Sequence, residues 1–474
     1  MTSYPLEPEP FGMLRMGMDA VTFVSETLWR LSDTPASRFA DDPAAFRLTP
    51  VEEGHEFTDA LRLFADAASD GIETAGPRYF GYIPSGGLYA SAVADLLSCG
   101  LNRSTGLSGF SPALVAMEDG VIRWLCGQFG LSPTAGGVMT SGGSMAHLTA
   151  IVAARAERLG EDFAGGTLYT TAQAHYSVAK AARIAGFPAS SIRIVPTTRA
   201  LRMDRAAAAR MIAADRRAGL RPFLLVANAG TTSTGTVDKL GPLARLAAAE
   251  DLWFHVDAAY GGFFQLTERG RTRLRGIELA DSLVVDPHKS LFAPYGTGML
   301  LVRDTAPLQA AHSATGEYLR DLHPTALPHY ANYGPELTRD FRGLRLWLPL
   351  WVHGVAAFRS ALDEKLDLAR SAYRTLRRHR DFETPLPPDL STVVFRAAGL
   401  DDVQNRRVLE AVNATGRAFL SGTVVNGRYV MRLCVLSHRS HACHVREALS
   451  VLTDVRRDLL GEHALACTTS VPGC

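Results

Sequence analysis

Lysine is nearly missing from this chain: of 49 basic residues only Lys180, Lys239, Lys289 and Lys365 are lysines. Arginine stands wherever a solvated positive charge suffices, a bias that points to a GC-rich bacterial genome. Net charge is nearly missing too. At +1 it offers nucleic acid or an anionic membrane little attraction. No apolar run reaches the length of a membrane span. Residues Met1–Gly12 have neither the basic start nor the apolar core of a secretory signal. The six cysteines (Cys99, Cys126, Cys434, Cys443, Cys467 and Cys474) follow no framework spacing. A reduced, cytoplasmic protein is therefore expected.

What is present fits an ordinary globular enzyme: 474 residues, 47% hydrophobic and 20% charged, enough for a large domain and a smaller one. Residues 1–75 read as an N-terminal helical segment, with helical spacing over Met13–Leu31 and Val51–Ala67. Residues 76–348 form the expected large domain, opening with the turn-rich, aromatic loop Gly76–Gly87. Strands are expected at Gly137–Thr140, Thr167–Thr171, Ile192–Val195, Phe223–Asn228, Trp253–Asp257, Ser282–Asp286 and Gly298–Val302. Helices fall between them at Met145–Leu159, Ser177–Ala185, Arg205–Ala218 and Gly241–Glu250. This alternation predicts a mostly parallel sheet covered on both faces. Residues 349–474 form the expected small C-terminal domain. It begins with a helix from Pro349 to about His379, then strand Thr392–Arg396 and helix Asp401–Thr415. Strands Thr423–Val425 and Tyr429–Val435, helix Cys443–Leu459 and a loose tail Cys467–Cys474 complete it.

Lys289 sits inside the apolar segment Ser282–Pro294. Desolvation there disfavours the ammonium, lowers its pKa and frees the lone pair for carbonyl chemistry. Arginine cannot form an imine, because its guanidinium does not deprotonate. A lysine snorkelling from a strand end would read the same way, so its neighbours decide. Thr140-Ser-Gly-Gly-Ser-Met-Ala-His-Leu-Thr-Ala150 joins a strand to a helix. Its glycines let backbone amides approach an anion, and Ser144 is placed to cap the helix and to donate to a phosphate. Neither a P-loop nor a GxGxxG spacing is present. Asp257 ends the strand in Leu252–Gly261, where a carboxylate either holds a pyridine nitrogen protonated or caps the following turn. His175 follows another strand and either stacks on a cofactor ring or rests in a loop. Thr231 and Thr232 end a further strand. An anion loop, a flat imidazole, hydroxyls, an acid and an amine, all at strand C-termini, form the set pyridoxal phosphate requires.

In order and wording these segments resemble the group II pyridoxal-phosphate-dependent amino acid decarboxylases, from about Phe11 to about Leu460. The likeness is most specific in His255-Val-Asp-Ala-Ala-Tyr260 and Asp286-Pro-His-Lys289. It implies an α/β, fold-type-I pyridoxal-phosphate enzyme, with a mostly parallel seven-stranded sheet sandwiched by helices and a small C-terminal α+β domain. By the same likeness Lys289 binds the cofactor as an imine, Asp257 pairs with the pyridinium and His175 stacks on the ring. Gly143 and Ser144 hold the phosphate with His288 beside it, and Thr232 and Ala259 line the cofactor. The family's mobile loop carries a tyrosine that protonates the substrate carbon. Counting back from Phe341-Arg-Gly-Leu344 lands on Tyr330, with Tyr333 as a neighbour open to confusion. Tyr82, Pro84, Ser85 and Phe110 match substrate-side loops, Phe110 reaching in from the partner of a homodimer whose site lies at the interface.

The implied activity is decarboxylation of an L-amino acid, aromatic or a specialised-metabolite intermediate. Two departures bear on the outcome: Ser290 replaces the family's usual bulky aromatic, and Pro294-Tyr-Gly-Thr-Gly298 differs from the animal enzymes. They leave open decarboxylation with oxidative deamination to an aldehyde, or β-elimination by a carbon–sulfur lyase. In aldehyde-forming plant relatives the loop tyrosine is typically replaced, so Tyr330 favours simple decarboxylation. A non-catalytic binding module would have no physical reason to keep Lys289, Asp257 and His175 together. His438-Arg-Ser-His-Ala-Cys-His444 gathers three imidazoles and a thiol, yet zinc sites usually draw paired ligands from separated segments. No metal is expected there.

Overall fold

All seven strands expected in the large domain form, and they join in one sheet. The structure is a computed structural model describing residues 6–39, 42–50, 52–313 and 325–468. Two N-terminal helices, α1 (Pro10–Arg30) and α2 (Phe57–Ala68), accompany the two-residue strands β1 (Ser37–Arg38) and β2 (Gly71–Ile72). Helices α3 (Tyr89–Leu101) and α4 (Pro112–Gln128) lead into β3 (Gly136–Thr140), α5 (Gly143–Leu159), β4 (Gly166–Thr171) and α6 (Tyr176–Ile184). Next come β5 (Ile192–Val195), α7 (Arg205–Arg217), β6 (Arg221–Asn228), α8 (Leu240–Ala249) and β7 (Trp253–Asp257). The large domain ends with α9 (Glu268–Arg273), β8 (Ser282–Val285), α10 (Pro287–Ser290), β9 (Gly298–Val302) and α11 (Ala306–His312).

The sheet order is β3-β9-β8-β7-β6-β4-β5, and only β9 runs against its neighbours. The chain returns from β8 to β9 without a long crossover helix, which leaves an antiparallel pairing. Every residue of β3, β4, β7, β8 and β9 is buried, the pattern of strands covered on both faces. The loops after β3, β4, β6, β7 and β8 therefore open on one edge of the sheet.

Helices α3 and α4, and the short α9, α10 and α11, are absent from the sequence reading. The inward face of α4 carries Val115, Val121, Ile122 and Leu125, but Glu118 falls among them and breaks the apolar stripe. Glu118 is buried against Arg339 at 2.7 Å and also accepts the Gly343 amide. The expected helix Val51–Ala67 begins later, at Phe57, and Val51 lies outside the described residues.

The C-terminal region comprises α12 (Leu344–Arg378), β10 (Phe382–Glu383), β11 (Thr392–Ala397), α13 (Asp402–Ala414), β12 (Ser421–Val425), β13 (Arg428–Cys434) and α14 (Ala442–Thr468). Its four strands make a small antiparallel sheet, β10-β11-β13-β12. Helix α12 starts before Pro349 rather than after it. Proline leaves the carbonyl four residues back without its helical donor; Ser91 of α3 donates to that carbonyl, on Arg345, at 2.8 Å. Gly354, with φ 71° and ψ 155°, kinks the helix. The expected tail Cys467–Cys474 lies outside the described residues from position 469 onward.

None of the 21 residues of α1 is buried, and Trp29 on it is 88% exposed. Among the described residues, no helix is long and apolar enough to cross a membrane.

The Glu118–Arg339 pair yields a stability prediction. Removing one partner of a buried ion pair leaves the other charge uncompensated, a loss of roughly 3–5 kcal/mol. Glu118→Ala should lower the guanidinium unfolding free energy by that amount, and a loss below about 1 kcal/mol would show that the pair is solvated instead.

Candidate active site

Strand ends place the chemistry. A cavity of about 330 Å³ opens at the shared sheet edge. Gly143 and Ser144 line it from beyond β3, His175 and Ser177 from beyond β4, and Gly230 and Thr232 from beyond β6. Asp257 and Ala259 reach it from β7, and Asp286, His288 and Lys289 from β8. All eight residues expected around the cofactor thus share one cavity.

Lys289 departs from expectation in its charge. Burial pulls the ammonium pKa down, but Asp286 Oδ2 lies 2.8 Å from Nζ and Asp257 adds to the pull, so the net direction is upward. Without cofactor the amine is a held ammonium rather than a free base. Reading the apolar neighbours alone missed Asp286, although it lies one turn away within the quoted motif. Asp286 is itself buried, and its Oδ1 has no hydrogen-bond partner.

Asp257 is a buried acid with fixed donors. The Ala259 amide donates to Oδ1 at 3.1 Å, and His147 Nε2 lies 3.4 Å from Oδ2. Burial alone would raise its pKa; His147 and Lys289 more than reverse that and hold it well below the usual carboxylate range. His147 sits on α5 inside a quoted segment, but one histidine in an Ala-rich helix gives no sign of its aim.

The other ring-facing group is His175, which caps α6. Its Nδ1 accepts the Ser177 amide at 3.3 Å and lies 2.6 Å from Ser177 Oγ. Burial lowers its pKa, so a neutral ring lines the cavity near pH 7. His288 is lowered by burial as well, and its Nδ1 lies 2.7 Å from the Thr297 carbonyl.

At the anion end, the expected Ser144 cap does not form. Gly142 is the N-cap of α5, with φ 154°, and no side chain caps the helix. A serine could hardly replace it at that positive φ; position 298 needs glycine for a separate reason, because the loop folds so closely on β9 that a Cβ there would lie 2.4 Å from Gly142 Cα. The Gly143 and Ser144 amides at the start of α5 have no helical acceptor and line the cavity, which suits a phosphate. Uncapped amides, a pinned acid, a flat neutral imidazole and a buried amine fit pyridoxal phosphate at every end. Lys289 would bind its aldehyde, Asp257 face its ring nitrogen and the Gly143–Ser144 turn hold its phosphate.

A model of the pyridoxal-dependent decarboxylase conserved domain matches residues 48–398. The chain belongs to the pyridoxal-dependent decarboxylase family. An aromatic-L-amino-acid decarboxylase of Bacillus atrophaeus is 34% identical over 444 residues, covering 90% of this chain and 92% of that protein. A phenylacetaldehyde synthase of Arabidopsis thaliana is 31% identical over 410 residues, covering 81% and 82%. The crystal structure of Oryza sativa TDC with PLP and tryptamine superposes with a TM-score of 0.91 at 30% identity, over 97% of this chain and all of that one. The protein is thus a pyridoxal-phosphate-dependent decarboxylase of fold type I.

Five expected residues lie outside the decarboxylase cavity within one chain. Pro84 and Ser85 are buried, and Ser85 donates to the Ala293 carbonyl at 2.9 Å. Tyr82 and Phe110 project outward, 59% and 58% exposed. Tyr82 nevertheless borders the cavity wall, because Arg432 Nη2 donates both to its carbonyl and to that of Thr232, at 3.1 and 2.5 Å. Tyr330 is fully buried in its own chain under the Arg339 guanidinium, and its hydroxyl has no partner. Tyr333 Oη accepts from Gln309. Ser290, the departure beside the lysine, is buried and donates to the Tyr260 carbonyl at 2.8 Å. In the histidine cluster, His441 pairs with Glu364 at 2.8 Å, whereas His438 packs against Phe292.

Gly298→Ala tests the anion cradle. The added methyl must push Gly142 aside, so cofactor affinity should fall by about tenfold or more and stability by roughly 1–3 kcal/mol. Unchanged affinity in an absorbance titration would mean the Gly142 turn does not shape the phosphate site.

Proposed function

We propose that this decarboxylase acts on an aromatic L-amino acid and releases CO2 and the corresponding amine, as a cytoplasmic, bacterial homodimer in amino acid metabolism. The observation that carries the substrate class is Tyr82. A non-glycine residue at φ 46° is held there against its backbone preference, bolted through Arg432 to Thr232 of the cavity, with its ring free. Phe110 offers a second unpartnered aromatic side chain, and Pro84 and Ser85 fix the loop that carries Tyr82. Tyr79 and Phe80, by contrast, are spent on packing. The name of the Bacillus relative supports the same class.

When bound, pyridoxal phosphate supplies an aldehyde that takes up the substrate amine and a ring that accepts the electron pair left by the departing carboxylate. The chain does the rest. Lys289 holds the cofactor and, once displaced, returns to release the product; Asp286 keeps its ammonium form close at hand. Asp257 presents negative charge to the ring nitrogen, and His175 covers the ring without adding charge. In the net reaction CO2 leaves and one proton takes its place on Cα. We assign that proton to Tyr330. Its hydroxyl, together with Nε and Nη1 of Arg339, makes a cluster of buried polar atoms without partners, whereas Tyr333 is satisfied. A second position for this segment, across a dimer interface, would relieve that cluster. The homodimer is further supported by α1, whose Phe23 meets Phe64 of α2 but whose Phe11, Met13, Leu14, Met18 and Trp29 stay exposed among the described residues. We take residues 1–75 as this interface arm, 76–348 as the cofactor-binding part and 349–474 as the small C-terminal part.

Product analysis with aromatic amino acids tests the proposal. Equal amounts of amine and CO2 are expected. An aldehyde with ammonia and hydrogen peroxide, consuming O2 and water, would instead match the activity that names the Arabidopsis relative. Thiol with keto acid would mark β-elimination. Borohydride should fix the cofactor to Lys289 in the native chain and leave none bound in Lys289→Ala. Asp257→Ala should lower kcat by about 10²–10³-fold, the scale of a lost preorganised charge.

A further inference from the structure

Strand geometry puts Trp253, His255 and Asp257 on one face of β7, because side chains alternate along a strand. Ser282 of β8 is the registered neighbour of His255, and His147 of α5 lies across that face. All are buried. Their polar atoms form one line: Trp253 Nε1 to Ser282 Oγ at 2.7 Å, then Ser282 Oγ to His255 Nδ1 at 2.7 Å. From there His255 Nε2 meets His147 Nδ1 at 3.1 Å, and His147 Nε2 faces Asp257 Oδ2 at 3.4 Å.

Both ends of this line are fixed in sense. Indole only donates and an ionised carboxylate only accepts. Four contacts then need four protons: one each from the indole, the hydroxyl and two neutral imidazoles leaves nothing over. Trp253 must donate to Ser282, Ser282 to His255, His255 to His147 and His147 to Asp257. Burial pushes His255 down to about 3, in keeping with the neutral ring this order requires. A charged imidazole would need an extra proton with no acceptor left inside the line.

We infer that His147 is a positioning residue: the line Trp253–Ser282–His255–His147 fixes the tautomer that holds Asp257 ionised and turned toward the ring nitrogen of the cofactor. This rests on the pyridoxal-phosphate reading of the cavity. The Ala259 amide occupies Oδ1 and His147 occupies Oδ2, so the carboxylate cannot rotate away. Because every donor in the line is neutral, the line itself adds no cation beside the pyridinium. His147 lines the cavity beside Asp257, and in this role it acts through that carboxylate.

The test compares pyridoxal phosphate with its 1-deaza analogue, in which a C–H replaces the ring nitrogen, by absorbance titration of the full-length protein. His147→Leu should weaken pyridoxal phosphate by about 10- to 100-fold, the value of a charge-assisted hydrogen bond, yet change analogue affinity by less than about threefold. His147→Gln, whose amide can still donate to Asp257, should recover most of the loss. Ser282→Ala, which removes the link two residues further back, should lose selectively for pyridoxal phosphate as well, and it carries the comparison if the leucine variant does not fold. Equal losses for both ligands would reduce His147 to packing and overturn the inference, as would no loss for either. Failure of the unmodified protein to bind pyridoxal phosphate would overturn the reading of the cavity itself.

Discussion

A full negative charge at the end of a strand from which water is excluded is the constraint around which this site is organised. Asp257 meets it with an amide from its own turn, an imidazole from the helix across the sheet and an ammonium from the next strand end. Each donor comes from a different element, so Asp257 can stay charged only when β7, α5 and the turn after β8 are packed together. A buried charge without such partners would cost several kcal/mol. Fold and chemistry are therefore coupled at one carboxylate: the packing that buries the sheet is what gives it a strong acid. Asp286 repeats the arrangement less completely, with Lys289 on one oxygen and nothing on the other.

Much of this was legible because the sheet writes itself into the sequence. Strands buried on both faces are short apolar runs, and a polar residue that ends such a run at the ligand edge stands out. Asp257, His175, Thr232 and Lys289 were visible for that reason. What escaped notice lies where the period is 3.6 or the contact is distant. His147 is one polar residue in a helix, and its meaning comes from β7, more than a hundred positions away. Glu118 hid α4 by interrupting an apolar face for the sake of Arg339. Ser144 looked like a helix cap because serine usually is one; the positive φ at the N-cap position instead demanded glycine at 142, a backbone requirement that composition does not reveal. Tyr82, Phe110 and Tyr330 do not line the cavity that holds Lys289, and a linear pattern gives no sign of that.

The arginine excess has a structural use. Arg432 ties the carbonyls of Tyr82 and Thr232, Arg439 those of Ala75, Gly86 and Gly87, and Arg303 those of Glu278 and Ala280. A planar guanidinium spreads donors over several acceptors at once, while an ammonium acts as a point charge. Loops whose backbone groups lack sheet or helix partners are held this way, by Arg432 at the cavity wall and by Arg303 at the opposite edge of the sheet. The turn that carries Tyr82 is fastened by two such arginines, both from the C-terminal region, so that region shapes the substrate side without lining the cofactor.

Scarcity drew attention to Lys289, yet scarcity and burial together do not single it out. Lys365 is equally rare and entirely buried, on α12, where its ammonium donates to the Ser440 carbonyl and to Glu364. Burial lowers its pKa, the very direction assumed to make a lysine reactive, whereas the pKa of Lys289 is raised. If desolvation chose the nucleophile, Lys365 would be the better candidate. The difference is access and company: Lys365 ends on a carbonyl in packed protein, while Lys289 ends in a cavity, with Asp286 on its ammonium and Asp257 close enough to add to the pull. In this fold a reactive amine is defined by its access to the cavity and by the carboxylates that hold it there, Asp286 three residues before the lysine and Asp257 on β7.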